Sequence, residues 1–328
     1  MGRQSLMILT PPYQLIDQMD RLPSEFSMAD HLGGFDLDLK NDLFTRLDDY
    51  ARNNDRTFII NVDQFYPKKI HDHYKNLQIK FDYDLFFTYR NLPNNTLVDY
   101  KLHPKLQYKN FLCSFNGSPH VSRKLLVAIL DRFGLFNPSY STKNFSFSVD
   151  QLDGHIKDYT NNDQNAYYRK FFIGDQSDNF FEKIYTINYN RTNHLNNISI
   201  LEESITKSFL HIVSETIATS YYPFVTEKFF YSIVTRGLFL TFGQPGWYSY
   251  IEHYFGFRKY LNIFDYRFDE IQNPIERLIE LISMILKFSK FTPYEWHDLS
   301  IMERDNIEFN YDNYFSGDYL KKVKEYCE

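Results

Sequence analysis

Between Ile200 and Gly256 the chain switches repeatedly from strand to helix periodicity within short spans, and this alternation restricts the fold more than any other feature. Leu210 to Ser214 is a short apolar run of strand length, and Leu238 to Phe242 is another. Thr226 to Arg236 between them has helical spacing. Gly243-Gln244-Pro245-Gly246 then makes a tight loop, and Trp247 to Phe255 reads as a helix stopped by Gly256. Strands that are apolar on both sides and joined through helices belong in a parallel sheet covered on both faces. The same unit occurs upstream, where Asn110 to Phe115 reads as a strand and Asn116 to Pro119 as a loop. Ser122 to Phe133 follows as a helix with Leu125, Leu126, Ile129 and Leu130 inward and Gly134 at its end. We therefore expect the strands at 110–115, 210–214 and 238–242 in one parallel sheet.

The first hundred residues carry a weaker α/β pattern. Asp42 to Arg52 suits a helix, Thr57 to Val62 a strand ending at Asp63, and Asp84 to Tyr89 a second strand. Residues 137–197, rich in Asn, Ser, Asp and Tyr, show little sustained periodicity and read as loops with short strands, whereas Pro274 to Lys287 is a long amphipathic helix. With 328 residues the expectation is α/β with two Rossmann-like domains facing a cleft, at 1–105 and 106–300, and a C-terminal tail at 301–328.

Several classes are disfavoured. A formal charge of −6 opposes a broad nucleic-acid-coating face. Two cysteines, Cys113 and Cys327, make no disulfide framework. No apolar run is long enough to span a membrane, and Pro11 and Pro12 interrupt the one apolar stretch near the N-terminus, so no membrane span and a cytoplasmic location are expected. The N-x-S/T sequons at Asn94, Asn144, Asn190 and Asn197 then carry no weight.

The sharpest local chemistry lies at Pro223 to Phe230. Thr226 stands where it can cap a helix whose first turn carries Glu227 and Lys228. A helix start offers unpaired N–H groups and partial positive charge, and a lysine placed there against the dipole suits a bound anion; a capped surface helix has the same pattern. Gly243 and Gly246 can bring backbone close to a ligand or simply form a turn. Glu215 follows a strand and can face a cleft or sit in a salt bridge, and Asp63 is the candidate base at a strand end. Asp36-Leu37-Asp38 and Asp82-Tyr83-Asp84 are Asp-x-Asp triplets, and His71-Asp72-His73 offers two imidazoles without a third ligand, so no metal is expected. Lys68, Lys69, Lys75 and Lys80 form either a basic wall or a solvated face.

These pieces, in this order and spacing, resemble the donor-binding half of fucosyltransferase-like GT-B glycosyltransferases and their viral and bacterial relatives. The resemblance covers roughly residues 108–285. It rests on Leu210 to Thr216, Phe224-Val225-Thr226-Glu227-Lys228, Leu238 to Gly246, Gly256-Phe257 and Phe264 to Asp269, with Phe111 to Asn116, His120, Arg123 and Lys124 upstream. Two departures stand out: Phe230-Tyr231-Ser232-Ile233 replaces the usual Lys-Pro-Ile run, and a single Arg123 replaces an arginine-rich loop. The resemblance implies that Lys228 and Arg123 hold a donor diphosphate, Glu227 the nucleotide ribose, and Thr226, Gly243 and Gly246 the donor's surroundings. It implies transfer from a nucleotide-diphosphate sugar to a hydroxyl, with Asp63 and Glu215 as candidate catalytic carboxylates and no cofactor or metal. The acceptor stays open among glycan, protein and a modified DNA base. A non-catalytic nucleotide or sugar-binding module and a metal-dependent GT-A transferase using an Asp-x-Asp triplet remain alternatives.

Overall fold

The computed structural model describes residues 6–8, 19–28, 43–62, 72–81, 108–174, 178–186, 197–215 and 225–327. Within them the chain is α/β, with small parallel sheets and helices. The first sheet has four strands in the order β1 (Leu6–Ile8), β2 (Glu25–Met28), β3 (Phe58–Val62) and β4 (Leu77–Phe81), all parallel. Helix α1 (Leu43–Asn53) crosses from β2 to β3. Phe44, Leu47 and Ala51 on α1 and Phe26, Phe58, Ile60, Val62 and Ile79 on the strands form a small core of their own. Alternate residues of β3 are buried, the period-two pattern of a strand with one face packed.

The second sheet joins β5 (Asn110–Cys113), β8 (Ser208–Ser214) and β9 (Leu238–Phe242) in parallel, as the apolar runs predict. Every residue of β8 and β9 is buried, which is why both read as continuous apolar runs. Beyond Ser114 the first of these strands continues as β6 (Phe115–Asn116), which pairs in parallel with β7 (Thr142–Lys143). Ser114 is held from both directions. Its backbone N–H donates to Ser141 Oγ at 3.1 Å, and its hydroxyl donates to the Ile212 carbonyl at 2.9 Å. Strand succession therefore runs outward from β5 and β6 toward β7 on one hand and β8 on the other.

Helix α2 (Val121–Arg132) follows β6. The stretch read as loops contains three helices: α3 (Val149–Asp158), α4 (Asn162–Phe172) and α5 (Asp178–Glu182). Capping boxes start α3 at Ser148 and Gln151 and α4 at Asn161 and Gln164. Helix α6 (Asn197–Lys207) leads into β8, which begins at Ser208. Helix α7 (Glu227–Val234) joins β8 to β9. Past β9 come α8 (Trp247–Tyr250), continued by a wider π turn at Ile251–Phe255, and α9 (Pro274–Leu286), with Asn273 capping and Pro274 in its first turn.

Residues 301–328 were expected as a tail. Instead α10 (Pro293–Met302), α11 (Arg304–Phe315) and α12 (Asp318–Cys327) bury Ile307, Tyr314, Tyr319 and Val323 in the core of the second sheet. The strand expected at 84–89 and both Asp-x-Asp triplets lie outside the described residues. Among the described residues no helix is long and apolar enough to cross a membrane.

Candidate functional site

In an open parallel sheet the loops leaving the strand ends converge with the helix starts that follow them, and ligands bind there. Here the meeting point is Glu215, one residue past β8. Its backbone N–H donates to the Phe242 carbonyl at the end of β9 at 3.0 Å. Its own carbonyl accepts from Ser122 Oγ, in the first turn of α2, at 2.8 Å. Its Oε1 accepts the Thr226 backbone N–H, at the start of α7, at 3.1 Å. One residue thus ties two helix starts to the ends of two strands. Each helix start carries cations: Arg123 and Lys124 on α2, Lys228 on α7.

Lys228 is buried, not an exposed first-turn side chain, and its Nζ lies 2.7 Å from Glu227 Oε1. Burial by itself would raise the Glu227 carboxyl, but Lys228, and to a lesser degree Arg123, outweigh it and hold the group at about 2. Burial and the Arg123 charge lower Lys228 against the pull of Glu227. His120, at the N-cap of α2, is half-buried and pushed down to about 4, first by burial and then by Arg123, Lys228 and Lys124. The structure therefore brings Arg123, Lys228 and Glu227 into one electrostatic cluster with His120. Lys124 also reaches His155 of α3, at 3.4 Å.

Glu215 is fully buried and pushed up to about 7, burial outweighing the Thr226 contacts and Lys228. Its Oε2 has no hydrogen-bond partner among the described residues. Thr226 occupies the N-cap position with extended backbone, but its hydroxyl makes no capping bond, contrary to expectation. The carboxylate of Glu215 does the capping instead, reaching the N–H of Thr226 across the strand end. His211, two strand positions below Val213 on the side facing α7, places Nδ1 2.5 Å from Ser232 Oγ. Burial, then Lys228, push it down to about 3.

Gly243 and Gly246 stand at the end of β9. Gly246 has φ +75, a conformation glycine adopts without strain. A Cβ at Gly243 would lie 2.9 Å from Trp247 Cδ1, so the close approach there is to the protein's own indole. The loop is held from behind by Arg277 of α9, a buried residue that sequence reading passed over as one position in an amphipathic helix. Its guanidinium donates to the carbonyls of Gly243 at 3.1 Å, Gln272 at 3.1 Å and Ile271. Asp269, buried and raised to about 7 mainly by that burial, accepts the Tyr248 N–H at 2.9 Å and so caps α8.

The site thus gathers Arg123, Glu215, Thr226, Glu227 and Lys228, with Gly243 joined to Glu215 through the end of β9. Asp63 lies outside the described residues. His120 and Ser122 complete the cluster; only His120 had a sequence signal, as part of the run before Arg123. Among the described residues no group of three or more His, Cys, Asp or Glu side chains could hold a metal ion. No family model, no curated protein and no solved structure matches this chain.

Proposed function

We propose that the chain is a glycosyltransferase of the two-domain GT-B type that takes its sugar from a nucleotide-diphosphate donor. The observation that carries this reading is the convergence of two helix starts and the cations Arg123 and Lys228 at the ends of parallel strands. Free N–H groups and fixed cations at one point suit a diphosphate, and they stabilise the charge that grows on it as a glycosidic bond breaks. In this reading Lys228 and Arg123 hold the diphosphate, and Glu227 keeps Lys228 charged despite its burial while facing the nucleotide. The Gly243 to Gly246 loop borders the donor, and Asp63 is the proposed base for the acceptor hydroxyl. The reaction proceeds without a metal, and the acceptor is a hydroxyl on a glycan, a protein or a modified DNA base.

A panel of nucleotide sugars, scored for donor hydrolysis and for transfer to mixed hydroxyl acceptors, tests the reading. One donor should be turned over, and Lys228→Ala should slow it by about 10²-fold, similar to losing one preorganised donor to a developing anion. Tight binding of a nucleotide sugar with no turnover would make the chain a binding module.

A further inference from the structure

A cavity of about 700 Å³ lies away from the strand ends. Asp131, in the last turn of α2, lines it together with Asn179, Phe180, Glu182, Lys183 and Tyr185, on and just after α5. Its volume is that of a small-molecule site, roughly 300–1,000 Å³. Arg123 and Asp131 stand near opposite ends of α2, about 12 Å apart along its axis, so this cavity and the cation cluster around Lys228 are different places.

A buried lysine holds the cavity wall in place. Lys143 of β7 has no solvent exposure, and its Nζ donates to the Phe145 and Phe181 carbonyls, each at 2.9 Å. Its backbone N–H donates to the Tyr185 carbonyl at 2.9 Å, and its carbonyl accepts the Tyr185 N–H at 3.0 Å. The ammonium lies 5.4 Å from the Phe180 ring centroid and 5.8 Å from that of Tyr185. Burial lowers Lys143 to about 8, with Asp131 opposing, so the group is charged at neutral pH. One side chain thus ties both rings of the wall to β7, and a wall fixed beforehand loses little freedom when a ligand arrives.

The charges around the cavity select what it can hold. Asp131 and Glu182 oppose an anion. A cation would have to share rings that two ammonium groups already attend, Lys143 behind them and Lys183, whose Nζ lies 5.3 Å from the Tyr185 centroid. Two carboxylates against two ammonium groups leave no net charge for a ligand to neutralise. An apolar ligand is opposed as well, because four of the six lining side chains are polar and would lose water without gaining partners. What remains is a neutral molecule with many hydrogen-bonding groups and one face able to lie on a ring.

We propose that this cavity binds a neutral saccharide, whose hydroxyls pair with Asp131, Asn179, Glu182 and Lys183 while a C–H face of the sugar ring rests on Phe180 and Tyr185. Carboxylates only accept, an ammonium only donates and an amide does both, a mixture that neighbouring hydroxyls satisfy because each of them donates and accepts. The face of an aromatic ring is its negative side, which attracts the weakly positive C–H groups of a pyranose. The assignment goes beyond the transferase reading, since it needs neither a nucleotide donor nor turnover.

Saturation-transfer NMR and calorimetric titration of the full chain with maltose, cellobiose, lactose and chitobiose test it. At least one of these should bind saturably at millimolar concentration, and its affinity should stay level as sodium chloride is raised, because the ligand carries no charge for salt to screen. Asn179→Ala/Glu182→Ala alters two exposed side chains and should weaken that binding by about tenfold or more at an unchanged melting temperature. Glu182→Lys, a single exposed change, should weaken it too and decides the matter should the double variant not fold. The proposal is overturned by any of four results: none of the four sugars binds; affinity is the same in both variants as in the unaltered chain; affinity falls steeply with salt; or spermidine or inorganic phosphate binds this place more tightly than every sugar. Nucleotide-sugar turnover, scored separately, bears on the transferase reading alone, so the failure of either leaves the other standing.

Discussion

At the scale of single residues, burial changes what a lysine substitution does. A surface Lys228 could be removed at little cost, but the buried Lys228 is the partner of a half-buried carboxylate. Taking away the lysine leaves that carboxylate without compensation, at a cost below the about 3–5 kcal/mol of a fully buried pair. We expect Lys228→Ala to lower the melting temperature, and Glu227→Gln/Lys228→Met to recover most of the loss. Equal destabilisation in the double variant, measured by urea denaturation, would show that the pair's charges are not the cause. His211 gives a second residue-scale prediction. Its folded pKa, about 3, lies below the ordinary value of 6.5, so its contribution to stability is present above pH 6.5 and is lost as pH falls toward 3. His211→Asn should therefore lose less stability between pH 6.5 and 4 than the unaltered chain, as thermal melts across that range would show. The Thr-Glu-Lys start was legible because capping positions and charges sit next to one another in sequence. That Glu215, eleven residues earlier, caps the helix was not, since a bond between distant residues leaves no local pattern.

At the scale of elements, the two glycines of the β9 loop differ in what they prevent. Gly246→Ala puts a side chain into left-handed backbone with open space around it, a cost of about 1–2 kcal/mol. Gly243→Ala drives a Cβ into the Trp247 ring, and that ring is packed edge-on against Phe229 at 5.3 Å. The expected order of melting temperatures is unaltered chain, Gly246→Ala, Gly243→Ala, and a reversed order would mean that the indole yields more easily than the backbone. Elements with continuous apolar runs, β5, β8 and β9, were legible from composition and period alone. Helices α3 and α4 announced themselves only by Ser148 with Gln151 and Asn161 with Gln164, a weak signal in a segment crowded with polar residues. The short strands β2 and β4 escaped notice because Glu25–Met28 and Leu77–Phe81 are only four and five residues long; the second alternates apolar and polar residues, and pairing in the sheet fixes both.

At the scale of the whole molecule, α7 has two dependencies. Its start carries the site, while its outer face is covered by Tyr314 of α11 and Tyr319 of α12, with ring centroids 5.4 and 5.7 Å from Phe230. Arg236, just past the end of α7, pairs with Glu308 at 2.8 Å and lies 3.4 Å over the Tyr311 ring. Removing residues 304–328 would uncover Phe230 and Phe257 together, and we expect the shortened chain to be insoluble rather than merely inactive. A soluble, folded product by circular dichroism would contradict that packing. The tail expected from the sequence was misjudged for a physical reason. Isolated polar helices such as α11 show little amphipathic contrast, and their few buried rings gain meaning only from the core they meet.

The cover over α7 also sets an order of events during synthesis. Ribosomes deliver the chain from its N-terminus, so α7 and the strands beside it emerge well before the tyrosines that will cover them. Until Tyr314 and Tyr319 arrive, a nascent chain holds α7 with one face of bare aromatic surface. Such a chain is exposed to aggregation, and the packing around α7 is completed late, when the last helices close over a helix that was written much earlier.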